Sequence, residues 1–316
     1  MSAPPSNDAR APSSTTVALL VALLCLVWGS TWIVIAGGLR DLPPFTSAAT
    51  RFAVAAACLT AIAPALARRE GGSKPTFALS AAVGTLNFGA SYAIVYWSET
   101  RLPSGLASVL WSVFPLLMAV AGAWFLQGEK LTARQGFGFV LGFAGVALLF
   151  ATDLVQMSND AVGTGVVLLA SPVVSCVGTV VLKKHGRHVS SVLVNRDAMW
   201  IGAALLAVLA LAFEREAPVE WTARAVASVA YLALIGTVLT FTLYFWLLRH
   251  VAAYRLSMIA YVTPALALTL GTLFGREPLT AWTVAGSGTI LLGVALVVAK
   301  RRPPAASDAD QRAVKR

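Results

Sequence analysis

Charged residues are the scarcest class in this sequence of 316 residues. Asp, Glu, Lys and Arg make up 12% of the chain, about half of the ~25% that is usual in soluble domains. Hydrophobic residues make up 58%. This balance excludes an ordinary soluble protein and predicts a chain that lies mostly within a lipid bilayer.

Metal-binding and catalytic motifs are also missing. The three cysteines, Cys25, Cys58 and Cys176, lie within apolar runs, and no CxxC or Cys/His spacing occurs, so neither a disulfide framework nor a metal site is indicated. No Asp or Glu lies at the centre of an apolar run, and no run contains HExxH, paired aspartates or a Ser/His combination. An intramembrane enzyme would need such groups, so we expect neither an enzyme nor a cofactor.

Basic residues outnumber acidic ones, which gives a formal net charge of +10. Most of these Lys and Arg residues lie in short segments between apolar runs, where they set membrane topology rather than bind nucleic acid. With the N-terminus in the cytoplasm, the cytoplasmic segments hold 17 Lys and Arg and the opposite segments hold 5. We therefore expect both termini to be cytoplasmic and no nucleic-acid partner.

Ten apolar runs are close to or above the ~18–20 residues that cross a bilayer as a helix. They lie at residues 17–38, 44–67, 76–98, 103–126, 132–151, 161–182, 190–213, 222–248, 252–275 and 280–299. The predicted fold class is an all-α integral membrane protein with ten transmembrane helices. Residues 1–16 are predicted to be a disordered tail and residues 300–316 a basic cytoplasmic tail.

The second half of the sequence repeats the first. Ser108 and Pro115 recur 149 residues later as Ser257 and Pro264, and a Glu-x-Leu-Thr segment recurs at an offset of 148. Each repeat holds five runs, an odd number, so the second copy must enter the membrane inverted. Inverted repeats are typical of secondary transporters, whose substrate site lies where the two halves meet.

Short motifs accompany the repeat. They are Trp28-Gly29-Ser30, Pro44 with Arg51-Phe52, Gly128-Glu129, and Gly275-Arg276-Glu277 in place of a second Gly-Glu. In these motifs the sequence resembles the drug/metabolite transporter superfamily, in its ten-helix branch built from two EamA-type domains. The resemblance covers residues 17–299. It implies EamA-type repeats at residues 17–151 and 152–299 and a central cavity lined mainly by runs 1, 3, 4, 6, 8 and 9.

The resemblance also implies a function. We expect a secondary transporter that exports small neutral or zwitterionic metabolites, amino acids first and aromatic ones among them, across the bacterial inner membrane by alternating access. A carrier of nucleosides, sugar-like metabolites or hydrophobic drugs is the alternative within transport, and a non-transporting membrane scaffold is the alternative outside it. The expected partners are a small-molecule substrate and the lipid bilayer.

Aromatic and uncharged polar side chains within the runs are the candidate substrate contacts. Aromatic faces enclose apolar groups or attract cations, and hydroxyl and amide groups offer hydrogen bonds without charge. The candidates are Trp28, Ser30, Asn87, Tyr92, Tyr96, Trp97, Ser108, Trp111, Ser112, Ser175, Thr179, Thr242, Trp246, Ser257 and Tyr261. Interfacial anchoring is the alternative for Trp97 and Trp246, and interhelical bonding is the alternative for each hydroxyl.

Prolines and two charged residues complete the predicted site. Pro115 and Pro264 each remove a helix hydrogen bond and are candidate hinges, or merely packing kinks. Arg51 lies inside run 2 and Glu99 at the edge of run 3, and both are assigned a gating or structural role. The absence of a central carboxylate argues against a buried proton relay, with coupling through Glu99 left open.

Glycines also occur at GxxxG spacing, as at Gly138 and Gly142. This spacing permits close helix approach. We expect internal packing there, and a monomer rather than a homodimer.

Overall fold

The computed structural model describes residues 12–127, 131–149, 159–266 and 281–298, and the regular structure in these ranges is helical. The part of the chain so described contains no β-strand; one isolated bridge joins Ser73 and Val189. The predicted all-α class is therefore confirmed. Candidates that lie in the remaining segments, among them Gly128-Glu129 and the motif at residues 275–277, fall outside the described residues.

The helices follow one another through short connections. They are α1 (Ser14–Gly38), α2 (Pro44–Glu70), α3 (Phe77–Glu99), α4 (Ser104–Phe125), α5 (Ala133–Leu149), α6 (Asp160–His185), α7 (Ser191–Phe213), α8 (Ala223–His250), α9 (Ala253–Ser257, continued over 259–266) and α10 (Ala281–Val298). Within the described ranges, seven of them, α1 to α4 and α6 to α8, are long and apolar enough to cross a membrane. Their starts lie within three residues of the predicted runs, because Pro, Gly and polar residues end the apolar runs.

Two helices contain π-helical segments that the sequence did not predict. These segments are Gly84–Ala90 in α3 and Leu234–Leu239 in α8. At the repeat offset of 149 residues, 85–90 in the first copy falls on 234–239 in the second. A π segment shifts the hydrogen-bonding register of its helix and is often found at functional sites.

Helices α2 and α7 cap each other. Glu214 directly follows α7, and its carboxylate accepts hydrogen bonds from the backbone N–H groups of Phe45 and Thr46 at 2.7 Å each. The Thr46 hydroxyl donates to the same carboxylate at 2.7 Å. A carboxylate there satisfies free N–H groups at the start of α2 and interacts favourably with its helix dipole.

Glu70, the last residue of α2, performs the reciprocal role for α7. Its carboxylate accepts hydrogen bonds from the N–H groups of Ser191 (3.1 Å) and Val192 (3.3 Å) and from the Ser190 hydroxyl (2.7 Å). Arg249 of α8 donates to it at 2.7 Å. This cluster defines the Glu70 end of the molecule.

The opposite end of the molecule, the Asp41 end, has its own ion pair. Asp41 lies between α1 and α2, and its carboxylate accepts hydrogen bonds from the Thr222 hydroxyl (2.6 Å) and from Nε of Arg224 (2.8 Å), with which it forms an ion pair. The hydrogen bonds from Arg224 and Thr222 lower the pKa of Asp41 from 3.8 to about 2. The pair is therefore ionised at every physiological pH.

Acidification should weaken the Asp41 end selectively. Because the pKa of Asp41 is lower in the folded state, its contribution to stability is complete above about pH 4 and is lost as the pH falls towards about 2. Asp41→Asn should therefore lower the unfolding temperature at pH 7, with a difference from wild type that narrows between about pH 4 and pH 2. Thermal unfolding in detergent measures this. A difference of the same size at pH 2 and pH 7 would contradict the assignment.

Glycines bring α5 and α10 into close contact. A Cβ on Gly138 would lie 2.8 Å from the carbonyl oxygen of Gly293, and one on Gly142 would lie 2.5 Å from the ring of Tyr261. The face that carries the GxxxG spacing is thus covered within the same chain, which is the internal packing that the sequence suggested.

Candidate functional site

A cavity of about 110 Å³ lies between α1, α3, α4, α6, α8 and α9. None of its described lining side chains carries a formal charge. They are Trp28, Thr31, Trp32, Ile35, Asn87, Ser91, Tyr92, Val95, Ser108, Trp111, Phe114, Ser175, Thr179, Phe241, Tyr244, Leu256, Ser257, Ile259, Ala260 and Thr263. The lining combines apolar and aromatic side chains with a few uncharged polar groups, and a space of this size holds several water molecules.

Aromatic rings form two walls of the cavity. Trp28 of α1 packs with ring centroids 5.3 Å from both Phe241 and Tyr244 of α8. On α4, Trp111 stacks on Phe114 with centroids 4.8 Å apart and planes at 27°. These walls offer flat apolar faces to a bound molecule.

The polar side of the cavity is centred on Asn87, in the π segment of α3. Its amide nitrogen donates to the carbonyl oxygen of Ser175 (3.3 Å) and to the hydroxyl of Thr179 (3.1 Å) on α6. Its buried amide oxygen Oδ1 has no hydrogen-bond partner among the described residues, and the same is true of the indole Nε1 of Trp28. The site therefore contains one buried acceptor and one buried donor without a described partner, and the acceptor lies against Gly178 of α6.

A chain of hydroxyl groups fixes Trp111. The Ser175 hydroxyl donates to that of Ser91 at 2.8 Å, the Ser91 and Ser171 hydroxyls are 2.8 Å apart, and Nε1 of Trp111 donates to Ser171 at 3.0 Å. The chain joins α3, α4 and α6. These hydrogen bonds fix the orientation of the Trp111 ring and give its indole N–H an acceptor.

Each residue of the Trp-Gly-Ser motif of α1 has a different contact. Trp28 lines the cavity. A Cβ on Gly29 would lie 3.3 Å from the carbonyl oxygen of Thr263, so glycine permits the close approach of α9. The Ser30 hydroxyl lies 2.7 Å from that of Tyr231 on α8, so Ser30 joins helices outside the cavity.

Arg51 lies behind the cavity wall and does not reach the surface, since it is 1% exposed. It donates to the Thr237 hydroxyl (2.8 Å), the Tyr96 hydroxyl (3.3 Å) and the carbonyl oxygen of Gly236 (3.2 Å). Gly236 and Thr237 belong to the π segment of α8. The guanidinium also lies 4.9 Å from the centroid of the Tyr92 ring, which lines the cavity.

The structure brings about half of the predicted substrate contacts to the cavity. Those that line it are Trp28, Asn87, Tyr92, Ser108, Trp111, Ser175, Thr179 and Ser257. The others are not among the lining residues: Ser30, Tyr96, Trp97, Ser112, Thr242, Trp246 and Tyr261.

Several of these other residues have contacts elsewhere. Trp97 stacks on Arg101 at 4.1 Å, near the Asp41 end. Trp246 lies 4.5 Å from the ring of His250. The Tyr261 hydroxyl donates to the carbonyl oxygen of Phe139 at 2.9 Å.

The two prolines differ in their surroundings. Pro115 lies in the first turn of a new helical segment, Phe114–Phe125, where proline removes no hydrogen bond. Pro264 leaves the carbonyl group of Ala260 without a helix partner, and the Ser112 hydroxyl donates to that oxygen at 3.0 Å. The Ala260 carbonyl therefore already has a partner in this conformation.

Helical periodicity could have identified several lining residues that the sequence analysis missed. Thr31 and Ile35 follow Trp28 by three and seven residues, and Ser91 and Val95 follow Asn87 by four and eight, so each pair shares a helix face with a predicted contact. The remaining ones are Trp32, Phe114, Phe241, Tyr244, Leu256, Ile259, Ala260 and Thr263. For Phe241 no simple signal exists, since the π segment shifts the register before it.

Seven described helices are long and apolar enough to cross a membrane, and a cavity lies between helices, as is expected of a multi-pass membrane transporter. The sequence profile of the EamA-like transporter family matches residues 15–151 and 163–299. The chain belongs to the EamA-like transporter family, within the drug/metabolite transporter superfamily, as its motifs indicated.

Relatives in other organisms carry transporter names. The chain is 27% identical over 279 residues to the uncharacterized transporter YoaV of Bacillus subtilis, with 88% of this chain and 95% of that protein covered. It is 27% identical over 275 residues to the uncharacterized inner membrane transporter YedA of Escherichia coli K12, with coverages of 87% and 88%. It is 25% identical over 289 residues to a probable amino-acid metabolite efflux pump of Salmonella typhimurium, with coverages of 87% and 92%.

A solved crystal structure has the same fold. It superposes with a TM-score of 0.75 over 92% of this chain and 100% of its own, at 22% sequence identity. At this level of identity the match concerns the fold alone.

Proposed function

We propose that this transporter exports small neutral or zwitterionic metabolites, with amino acids as the first candidates, across the bacterial inner membrane. The observation that carries the proposal is a cavity without charged side chains among its described lining residues, where Nε1 of Trp28, a donor, and Oδ1 of Asn87, an acceptor, have no partner in the described chain. A zwitterion complements both, because its carboxylate accepts from an indole N–H and its ammonium group donates to an amide oxygen. The name of the Salmonella relative supports the same solute class.

The proposed mechanism is alternating access by ten membrane helices in two inverted repeats, at residues 17–151 and 152–299. Helix directions support it. α2 begins where α7 ends, at the Glu214 contact, and α7 begins where α2 ends, at the Glu70 contact. α8 begins at the Asp41 end, whereas α3 follows Ser73, which pairs with the loop before α7 at the Glu70 end. The pairs α2/α7 and α3/α8, which are equivalent in the repeat, thus run in opposite directions, as the proposal requires.

The equivalent π segments of α3 and α8 support the same arrangement. The uneven distribution of Lys and Arg supports a cytoplasmic location for the Glu70 end and for both termini. The glycine face of α5 is covered by α10 and α9 of the same chain, which supports a monomer.

A carrier of nucleosides or other flat metabolites is the second candidate. The stacked Trp111 and Phe114 rings favour it, because planar bases stack on such faces. Phosphorylated solutes are disfavoured, since none of the described lining residues is Lys or Arg.

Flux measurements with Trp28→Phe test the proposal. This change keeps an aromatic ring and removes the indole N–H, whose hydrogen bond to a charged group contributes about 1.5–3 kcal/mol. We expect purified protein in liposomes to show saturable amino-acid counterflow, and the variant to need at least about 10-fold more substrate for half-maximal flux. Trp124→Phe is the matched control, since Trp124 is 78% exposed on the outer face of α4, and its flux should match wild type.

Absence of saturable counterflow for every amino acid would overturn the amino-acid assignment and direct the same assay to nucleosides. Thermal unfolding separates a transporter from a scaffold. A substrate at 100 times its Kd stabilises the folded protein by about 2.7 kcal/mol, whereas a scaffold shows no shift of its unfolding temperature with any of the solutes tested.

A further inference from the structure

Two buried charged side chains, one on α2 and one on α3, form no ion pair within the described residues. Arg51 is 1% exposed and Glu99, the last residue of α3, is 7% exposed. Both carboxylate oxygens of Glu99 lack a hydrogen-bond partner among the described residues. The three ion pairs found in that part of the chain involve other residues.

Glu99 lies within one helical turn of a residue that Arg51 already contacts. Arg51 donates to the Tyr96 hydroxyl, and Tyr96 precedes Glu99 by three residues, which places both on one face of α3. The two opposite charges are therefore neighbours that are not in contact.

Other charged groups near this end of α3 have partners of their own or lie in solvent. Asp41 pairs with Arg224, Glu214 caps α2, and Arg101 bonds to Thr100 and the carbonyl oxygen of Trp97. Asp160 at the start of α6 and Arg40 at the end of α1 are exposed. Arg51 is thus the buried cation available to Glu99 in the described chain.

A buried carboxyl group such as that of Glu99 is stable in two states, protonated or ionised and paired with a cation. An ionised carboxylate buried without a hydrogen bond or counter-ion is strongly disfavoured, so Glu99 suits a bound proton in this conformation. Its ionised form becomes favourable when Arg51 leaves its neutral partners and pairs with it. Exchange between these conditions binds or releases one proton.

We propose that Glu99 is a proton-binding site, and that alternation of Arg51 between Tyr96 and Glu99 couples proton exchange to substrate transport. The inference rests on the proposed transport function. Arg51 provides the link, because it packs on Tyr92 in the cavity wall and bonds to the π segment of α8. A substrate that displaces Tyr92 also displaces Arg51.

The first experiment tests whether Glu99 carries a proton, and it needs no substrate. Infrared spectroscopy of the protein in liposomes at pH 7 should show the C=O stretch of a buried protonated carboxyl group, and Glu99→Gln should remove that band. Glu216→Gln, a matched change at an exposed glutamate, should leave it in place. No difference between wild type and Glu99→Gln would overturn the assignment.

Coupling is tested with a substrate that the counterflow assay accepts. A pH gradient should drive accumulation of that substrate by the wild type, and Glu99→Gln should reduce the accumulation at least 10-fold while counterflow continues within about twofold. Wild-type counterflow that ignores a pH gradient, or responds to Na⁺ instead, would overturn coupling and leave the proposed transport function standing. Absence of counterflow would instead count against the transport proposal.

Discussion

Replacement of Gly178 by alanine should abolish most transport, because Gly178 makes room for Asn87. A Cβ at position 178 would lie 1.7 Å from Oδ1 of Asn87, a separation that forces the amide group out of the site. Asn87 then loses its hydrogen bonds to Ser175 and Thr179. Overpacking of this kind costs about 1–3 kcal/mol, and we expect a fall in flux of roughly 10- to 100-fold, measured as initial counterflow in liposomes.

Gly163→Ala is the matched control for this change. Gly163 lies in the same helix, α6, and a Cβ there would have no heavy atom within 4 Å, so flux and unfolding temperature should stay at wild-type values. The double variant Gly178→Ala with Asn87→Gly should regain stability but not flux, because the space is restored and the amide is absent. Normal flux in Gly178→Ala would show that Asn87 does not serve the substrate.

Among the substitutions considered, replacement of Glu70 by glutamine should lower the free energy of unfolding most. The change removes the charge that pairs with Arg249 and satisfies the first N–H groups of α7. Removal of one partner from a buried ion pair costs about 3–5 kcal/mol; Arg249 is 23% exposed, so we expect roughly 2–4 kcal/mol. Thermal unfolding in detergent should show a midpoint lower by about 5 °C or more.

Glu216→Gln again provides the comparison, since Glu216 is exposed and its replacement should change the midpoint by less than about 1 °C. Arg249→Gln should lower the unfolding midpoint less than Glu70→Gln does, because Glu70 still accepts hydrogen bonds from the first N–H groups of α7. Equal losses in both variants would mean that the ion pair alone, and not the cap, stabilises this end.

Helix positions could be predicted from the sequence because apolar runs and their end signals are local. Pro44 and Pro103, for example, lie next to the starts of α2 and α4. Trp28 and Trp111 could be identified as deep aromatic residues for the same reason. The relation between the repeats followed from residues such as Pro115 and Pro264.

The details of the site depend on contacts between distant segments. Gly236 accepts a hydrogen bond from Arg51, 185 residues away, in a π segment that no local pattern indicates. Ser108 and Ser112 are four residues apart, yet Ser108 lines the cavity while Ser112 bonds to Ala260. Sequence periodicity places both serines on one helix face. It does not show which of the two hydroxyls faces the cavity and which bonds to a neighbouring helix.

The reciprocal caps also set an order for biosynthesis. The N–H of Phe45 receives its partner from Glu214, 169 residues later in the chain, so a ribosome that adds about 5–20 residues per second delivers it roughly 10–30 s after Phe45 itself. During that interval the first N–H groups of α2 lack the carboxylate that accepts their hydrogen bonds in the folded protein. The start of α2 therefore gains its cap only after Glu214 has been translated, and a nascent chain arrested before that residue leaves the N–H groups of Phe45 and Thr46 without this partner.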